Sequence, residues 1–302
     1  MTSTPNTNTP STNAPTSNAP RVSFEMFPPT DSAGEAKLWS SVRRLQPLGP
    51  EFISVTYGAG GSTRDRTDRA VRRIHLGAAA PSAAHITCVD ATRDEVDQQV
   101  QAWKDAGISR IVALRGDAPG GGQFTAHPQG YQSAADLVAG IAEIGGLDIS
   151  VAAYPEVHPD AANGQADLDT LKRKIDAGAN RALTQFFMEP DTFLRFRDRA
   201  TAAGINVPII PGIIPISHFG RISSFAKRCG TDVPTWLAEL FEGLDDDAET
   251  RAMIAVSTAC ELCQRLRAEG VDDFHFFTLN RAELVYAICW RLGLRERLEQ
   301  AA

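Results

Sequence analysis

Eight short apolar runs separated by longer amphipathic stretches predict an α/β chain closed into a (β/α)8 barrel. Three observations carry the expectation. Strand-like and helix-like segments alternate from residue 21 onward, which calls for a parallel sheet. The strand count is the one that closes a barrel. The rival, an open doubly wound sheet, normally carries G-x-G-x-x-G after its first strand, whereas here that strand runs into Phe-Pro-Pro. The nearest glycine cluster, GAGGST at residues 58–63, has Thr63 where the last glycine should fall.

In order, the predicted strands are VSFEMF (22–27), FISVTY (52–57), AHITCV (84–89), RIVALR (110–115), ISVAAY (149–154), RALTQFF (181–187), VPIIPGI (207–213) and DFHFFT (273–278). Their β-branched and aromatic content fits a pleated, buried surface. Between them run helical patterns. In EAKLWSSVRRLQ, Leu38, Trp39, Val42 and Leu45 recur at helical spacing. RTDRAVRRIHLG, TRDEVDQQVQAWKDAG, AADLVAGIAEIG, ADLDTLKRKIDAG and PDTFLRFRDRATAAG follow, several ending in the glycine that stops a helix. Thr92 and Asp94 sit where a helix opens and read as capping groups. The interval between the seventh and eighth strands is about twice the usual repeat, and ISHFGRISSFAKRC, VPTWLAELFEGL and DDDAETRAMIAVSTACELCQRLRAEG predict extra helices there.

The 302 residues, 43% hydrophobic, suffice for one large domain. Residues 1–20, MTSTPNTNTPSTNAPTSNAP, hold no charged side chain and no apolar run, so they are expected to form a disordered tail ahead of a single barrel domain over 21–302. The tail lacks the basic start and apolar stretch of a secretion signal. A formal charge of −7 argues against nucleic-acid or anionic-membrane partners. Five cysteines without framework spacing indicate a reducing compartment, hence a cytoplasmic protein. Cys260 and Cys263 form a lone C-x-x-C in a helical pattern and read as structural thiols, since zinc needs four ligands.

Barrel enzymes place their chemistry at the C-terminal ends of the strands. There the chain offers Glu25, then Thr56 and Tyr57, then His85 and Thr87. Arg115-Gly116-Asp117 follows the fourth strand, Tyr154 with Glu156 and His158 the fifth, Thr184 and Gln185 the sixth, and Thr278, Asn280 and Arg281 the eighth. Strand alternation turns Val22, Phe24 and Met26 toward the helices and Ser23, Glu25 and Phe27 toward the barrel axis. A carboxylate held there is desolvated, which raises its pKa and suits a general acid. A core Glu paired with an arginine is the other reading, and patterning does not choose between them. A Schiff-base lysine is missing from the strand ends, because lysines 37, 104, 172, 174 and 227 all lie in helical stretches. The six histidines are scattered, which disfavours a metal hydrolase, and no metal site is expected. The inventory suits proton transfer beside a bound cofactor.

The blocks VSFEMFPP, FISVTYGAG, HITCVDAT, IVALRGD, DISVAAYPEVHP, QADLDTLKRKIDAGANRALTQFF, LDDDAETR and FHFFTLNRAELVYAIC closely resemble, in order, those of the bacterial methylenetetrahydrofolate reductases from Arg21 to about Arg295. The resemblance implies a barrel that holds FAD and uses NADH or NADPH to reduce 5,10-methylenetetrahydrofolate to 5-methyltetrahydrofolate, in a family that self-associates into homo-oligomers. It makes Glu25 the general acid that protonates the folate's bridging nitrogen and opens the ring to an iminium. Asp117 becomes the carboxylate beside flavin and folate. Cofactor contacts fall on Thr56, Tyr57, Ala59, His85, Arg115, Gly116, Asp117, Tyr131, Tyr154, His158, Asp167, Thr170, Arg173 and Lys174. Substrate contacts fall on Gln185, Arg221, Phe225 and Arg281, the last toward the folate's glutamate tail.

The chain departs from the family pattern in three places. The loop after the fourth strand, APGGGQFTAHPQG, is longer and richer in glycine; Thr170 stands where Asn is familiar, and Arg221 where Gln is. Two other readings stay open: a different flavin-dependent barrel oxidoreductase, and a catalytically idle folate- or flavin-binding barrel.

Overall fold

In the computed structural model, which describes residues 19–58, 64–118, 122 and 124–296, the eight expected strands close into one parallel barrel in sequence order. They are β1 (Arg21–Met26), β2 (Ile53–Val55), β3 (Ser82–Thr87), β4 (Arg110–Leu114), β5 (Asp148–Ala153), β6 (Arg181–Phe186), β7 (Ile209–Ile213) and β8 (Asp273–Phe277). Around them run α1 (Ser32–Leu45), α2 (Arg64–Gly77), α3 (Arg93–Asp105), α4 (Ala134–Ile144), α5 (Gly164–Asp176) and α6 (Pro190–Ala202). The long interval before β8 holds α7 (Phe219–Cys229), α8 (Thr235–Phe241) and α9 (Ala248–Ala268), and α10 (Ala282–Arg291) follows β8. The expected tail lies almost wholly outside the described residues.

Helix starts follow local chemistry. Thr92 caps α3 by accepting from the Glu95 amide while Glu95 reaches back to the Thr92 amide, a reciprocal capping box. Asp31 caps α1 and Asn163 caps α5 in the same side-chain-to-amide manner.

Among the described residues three apolar clusters fill the fold. The largest lies between sheet and helices, where Phe24 and Met26 of β1 are fully buried; each such side chain contributes roughly 1.5–3 kcal/mol by leaving water. A second, formed by Phe52, Ala83, Val112, Leu183 and Ile210, plugs the lower lumen. Beneath it Asp148 accepts ion pairs from Arg181 at 2.9 Å and Arg110 at 3.6 Å, and both guanidiniums lie over the Phe52 ring. The third cluster joins Phe186, Met188, Ile214 and Ile216 to α7 and α8, so the inserted helices wall one side of the barrel mouth.

Some strands end earlier than their composition implies. β2 stops at Val55 because the Thr56 carbonyl is taken by the Thr67 hydroxyl at 2.8 Å instead of a neighbouring strand. β3 begins and ends two residues before the apolar run at 84–89; Val89 instead makes an isolated antiparallel bridge with Ala126. β1 ends at Met26, which corrects the expectation for Phe27. That residue is 42% exposed and turned away from the axis, because the chain leaves the ladder at Pro28-Pro29.

Candidate active site

Glu25 projects into the upper lumen with its side chain 12% exposed, as alternation along β1 requires. Its partner is not an arginine. His275 Nε2 and His85 Nε2 each lie 3.5 Å from Glu25 Oε2, the latter out of hydrogen-bonding alignment. The β1–β8 register pairs Ser23 with His275, and Ser23 Oγ meets His275 Nδ1 at 2.8 Å. A line of polar groups thus runs Ser23, His275, Glu25 across two adjacent strands, with His85 facing from β3. Burial lowers the His85 pKa to about 4, against a smaller opposing pull from Glu25, so its ring is neutral at pH 7. Two of the histidines that look scattered in sequence, His85 and His275, are brought together by the barrel. Among the described residues no group of His, Cys, Asp and Glu is arranged to hold a metal.

A second constellation spans the ends of β4 and β5 and the start of α5. Arg115 donates to Asp160 at 2.6 Å and lies over the Phe124 ring. Gly116 follows with φ +86, and a Cβ there would sit 2.6 Å from Val89 Cγ1, so only glycine fits. Asp117 is exposed on the same loop and acts electrostatically on Tyr154, whose pKa is raised by burial first and by Asp117 second. The Tyr154 ring meets His158 edge-on at 4.5 Å. The His158 amide donates to Asp167, and its Nδ1 accepts from the Asp160 amide. Burial lowers the His158 pKa, with Arg115 adding to the effect. Lys174 is buried and donates to the Ala152 carbonyl; burial brings its pKa down to about 8, opposed by Asp167. Arg173 donates to Thr170 Oγ at 2.8 Å, and Thr170 in turn donates to the Ala166 carbonyl. Thr170 therefore spends its hydrogen on its own helix while its oxygen orients Arg173.

The third side of the mouth is β6, α7 and the loop after β8. Gln185 accepts from the Phe186 amide through its side chain, which folds it back over the strand end. The Phe225 ring packs tilted against Phe186, at 5.3 Å and 34°, and Phe186 meets Phe277 edge-on. Gly212 is needed here, since a Cβ would lie 2.6 Å from the Phe277 ring. Arg221 and Arg281 are exposed, and neither side chain has a hydrogen-bond or ion-pair partner among the described residues.

Not every expected residue joins these groups. Tyr57 is buried and accepts from Arg64 Nε at 2.7 Å. The Tyr131 hydroxyl is committed to Asp97 at 2.5 Å, with Arg93 over the ring, which fixes it between α3 and α4. Thr56 uses its backbone to tie β2 to β1 and α2. Ala59 lies outside the described residues. Sequence reasoning missed His275 and did not use Ser23, although period-two alternation in DFHFFT and VSFEMF turns both toward the lumen. Asn280, expected at the end of the eighth strand without a role, accepts from the Phe27 amide at 2.9 Å through its side chain and donates to the Phe27 carbonyl at 3.0 Å. Leu279 and Asn280 both hold φ near +50, so this short loop is strained next to the site.

Comparison with known proteins places these features. The family model described as methylenetetrahydrofolate reductase matches residues 11–293. A 5,10-methylenetetrahydrofolate reductase from Pectobacterium carotovorum is 53% identical over 274 residues, covering 91% of this chain and 90% of the relative. The protein of that name from Escherichia coli K12 is 52% identical over 277 residues, covering 92% of each. Among solved structures, a Clostridium thermocellum protein that binds two copies of 5-methyl-5,6,7,8-tetrahydrofolic acid superposes with a TM-score of 0.61 at 14% identity, covering 91% of this chain and 95% of its own, a likeness of fold. The chain belongs to the methylenetetrahydrofolate reductase family.

Proposed function

We propose that this protein reduces 5,10-methylenetetrahydrofolate to 5-methyltetrahydrofolate with electrons from NADH or NADPH, using FAD. The observation that carries the reading is the carboxylic acid Glu25 held in the lumen against two histidines, in a chain more than half identical to reductases of that name.

The residues present fit a flavin. His85 Nε2 and Thr87 Oγ are buried at the upper lumen with no hydrogen-bond partner among the described residues, and such atoms are costly unless a ligand meets them. Gly116 leaves its backbone bare for close approach. Arg115, Arg173 and Lys174 supply positive charge for a diphosphate, with Tyr154 and His158 as ring surfaces beside it. Bound there, the flavin would carry two electrons between nicotinamide and folate.

The chain's own part is proton and charge management. Glu25 Oε2 gives its proton to the folate's bridging nitrogen, which opens the five-membered ring to an iminium. His275 holds the carboxyl in place, and Ser23 fixes which nitrogen of that ring faces it. Neutral His85 adds no positive charge where a cation forms. Asp117, exposed at the mouth, offers the negative charge that stabilises that cation. Gln185, Phe225 and Arg281 orient the substrate from the opposite rim. One face serving nicotinamide and folate in turn gives ping-pong kinetics. The test is the pure protein: a yellow sample, bleached by NADH or NADPH and restored by methylenetetrahydrofolate, with parallel double-reciprocal lines. A colourless active protein would overturn the flavin, and intersecting lines the shared face.

A further inference from the structure

Helix α7 carries a charge opposite to that of the chain as a whole. Its 11 residues, FGRISSFAKRC, include Arg221, Lys227 and Arg228 and neither Asp nor Glu, in a protein of net charge −7. The buried side chains of Ile222 and Ala226 fasten the helix to the apolar wall of the barrel mouth. Cys229, in its last turn, feels the charge of Asp117 and acts in turn on Tyr154, so α7 runs beside the constellation at the ends of β4 and β5. Arg221 and Arg228 are both exposed, and neither has a hydrogen-bond or ion-pair partner among the described residues. Unpaired guanidiniums gathered at the mouth of a site mark a place for an anion.

The placement of the two arginines says which anion. Positions 221, 225 and 228 share one face of the helix, so Arg221 stands a turn before Phe225 and Arg228 a turn after it. Arg228 Cζ lies 5.6 Å from the centroid of the Phe225 ring, and the exposed Arg221 side chain can reach the same ring from the other side. A phosphate beside that ring therefore meets two guanidinium forks, each shaped for bidentate hydrogen bonds to phosphate oxygens. Phe225 is also the residue that the reading above sets against a bound substrate. A site that selects NADH commonly turns a carboxylate toward the ribose 2′-hydroxyl, whereas an arginine accommodates the 2′-phosphate of NADPH. Along α7 the arginines are present and the carboxylate is not.

We propose that the Arg221–Phe225–Arg228 face of α7 recognises the 2′-phosphate of NADPH and makes NADPH the preferred reductant, a proposal that rests on the flavin and nicotinamide reading above. The test is anaerobic stopped-flow bleaching of the flavin-bound protein by NADPH and by NADH, read as the ratio of their kred/Kd values. In the wild type the ratio should favour NADPH by at least about fivefold at low salt, the size expected of exposed ion pairs, and should shrink in ~0.5 M salt. Arg221→Gln and Arg228→Gln should each lower the ratio, and the double variant should bring it to about one. A purely structural role for either arginine would affect both nucleotides alike and leave the ratio where it was. On the wild type alone, adenosine 2′,5′-bisphosphate should inhibit bleaching by NADPH more strongly than 5′-AMP, from which it differs only by the 2′-phosphate. A wild-type ratio of one or less, an undiminished ratio in either single variant, or equal inhibition by the two adenosine phosphates would overturn the 2′-phosphate site alone. Failure of both nucleotides to bleach the flavin would overturn the reading it rests on and the site with it.

Discussion

His85 shows how a single buried ring sets a pH dependence. The unfolded chain takes up its proton near the ordinary histidine pKa of about 6.5, while the folded protein refuses it until about 4. Stability is therefore lost as pH falls through that window, by about 3 kcal/mol in all. Urea unfolding at pH 7 and pH 4.5 should show that loss, and His85→Gln should remove most of it. Lys174 acts in the opposite range. With its pKa down at about 8, the free protein loses this positive charge as pH rises further, so flavin affinity should weaken by up to ~10-fold per pH unit from there. Fluorescence titration of flavin into the apoprotein reads this directly, and Lys174→Met should flatten it. At Gly116 the constraint is steric. Gly116→Ala meets Val89 at a φ that side chains rarely adopt and should cost about 1–3 kcal/mol together with flavin binding.

Among the elements, the short connection from β8 to α10 couples fold to site. Asn280 grips both backbone atoms of Phe27 from a left-handed conformation, and Thr278 donates to the Glu25 carbonyl at 2.6 Å. Asn280→Ala should destabilise the protein by about 1–2 kcal/mol through two lost hydrogen bonds, and should raise the folate KM more than it lowers kcat. A KM left unchanged would mean Arg281 is held without this staple. The elements were legible in the sequence because hydrophobic periodicity recurs along the chain and several helical patterns end in a glycine stop. Their ends were less so. At Thr56 a side-chain hydroxyl from α2 captures the carbonyl, and at Phe27 two prolines turn the strand outward; both are tertiary or turn effects that composition does not register.

At the scale of the whole molecule, the barrel separates stability from chemistry. Asp148, with Arg110 and Arg181 over Phe52, closes the lower end, so Asp148→Asn should cost about 1–3 kcal/mol of stability and leave kcat unchanged. The upper end collects groups that lie far apart in the chain. Alternation alone placed Glu25 and Ser23 in the lumen, yet the meeting of Glu25 with His275 depends on strand register and closure, which no local pattern encodes. The resemblance supplied the α5 residues Asp167, Arg173 and Lys174, which in sequence look like a solvated helix face although Lys174 is buried. It also supplied Tyr131, which the structure commits to Asp97. The most direct test of the central claim separates the two half-reactions in Glu25→Gln by stopped-flow absorbance. Bleaching of the flavin by NADH or NADPH should keep its wild-type rate, while reoxidation by methylenetetrahydrofolate should slow by about 10²–10⁴-fold, the range of a lost general acid. Reoxidation at the wild-type rate would contradict the assignment of Glu25 as the acid.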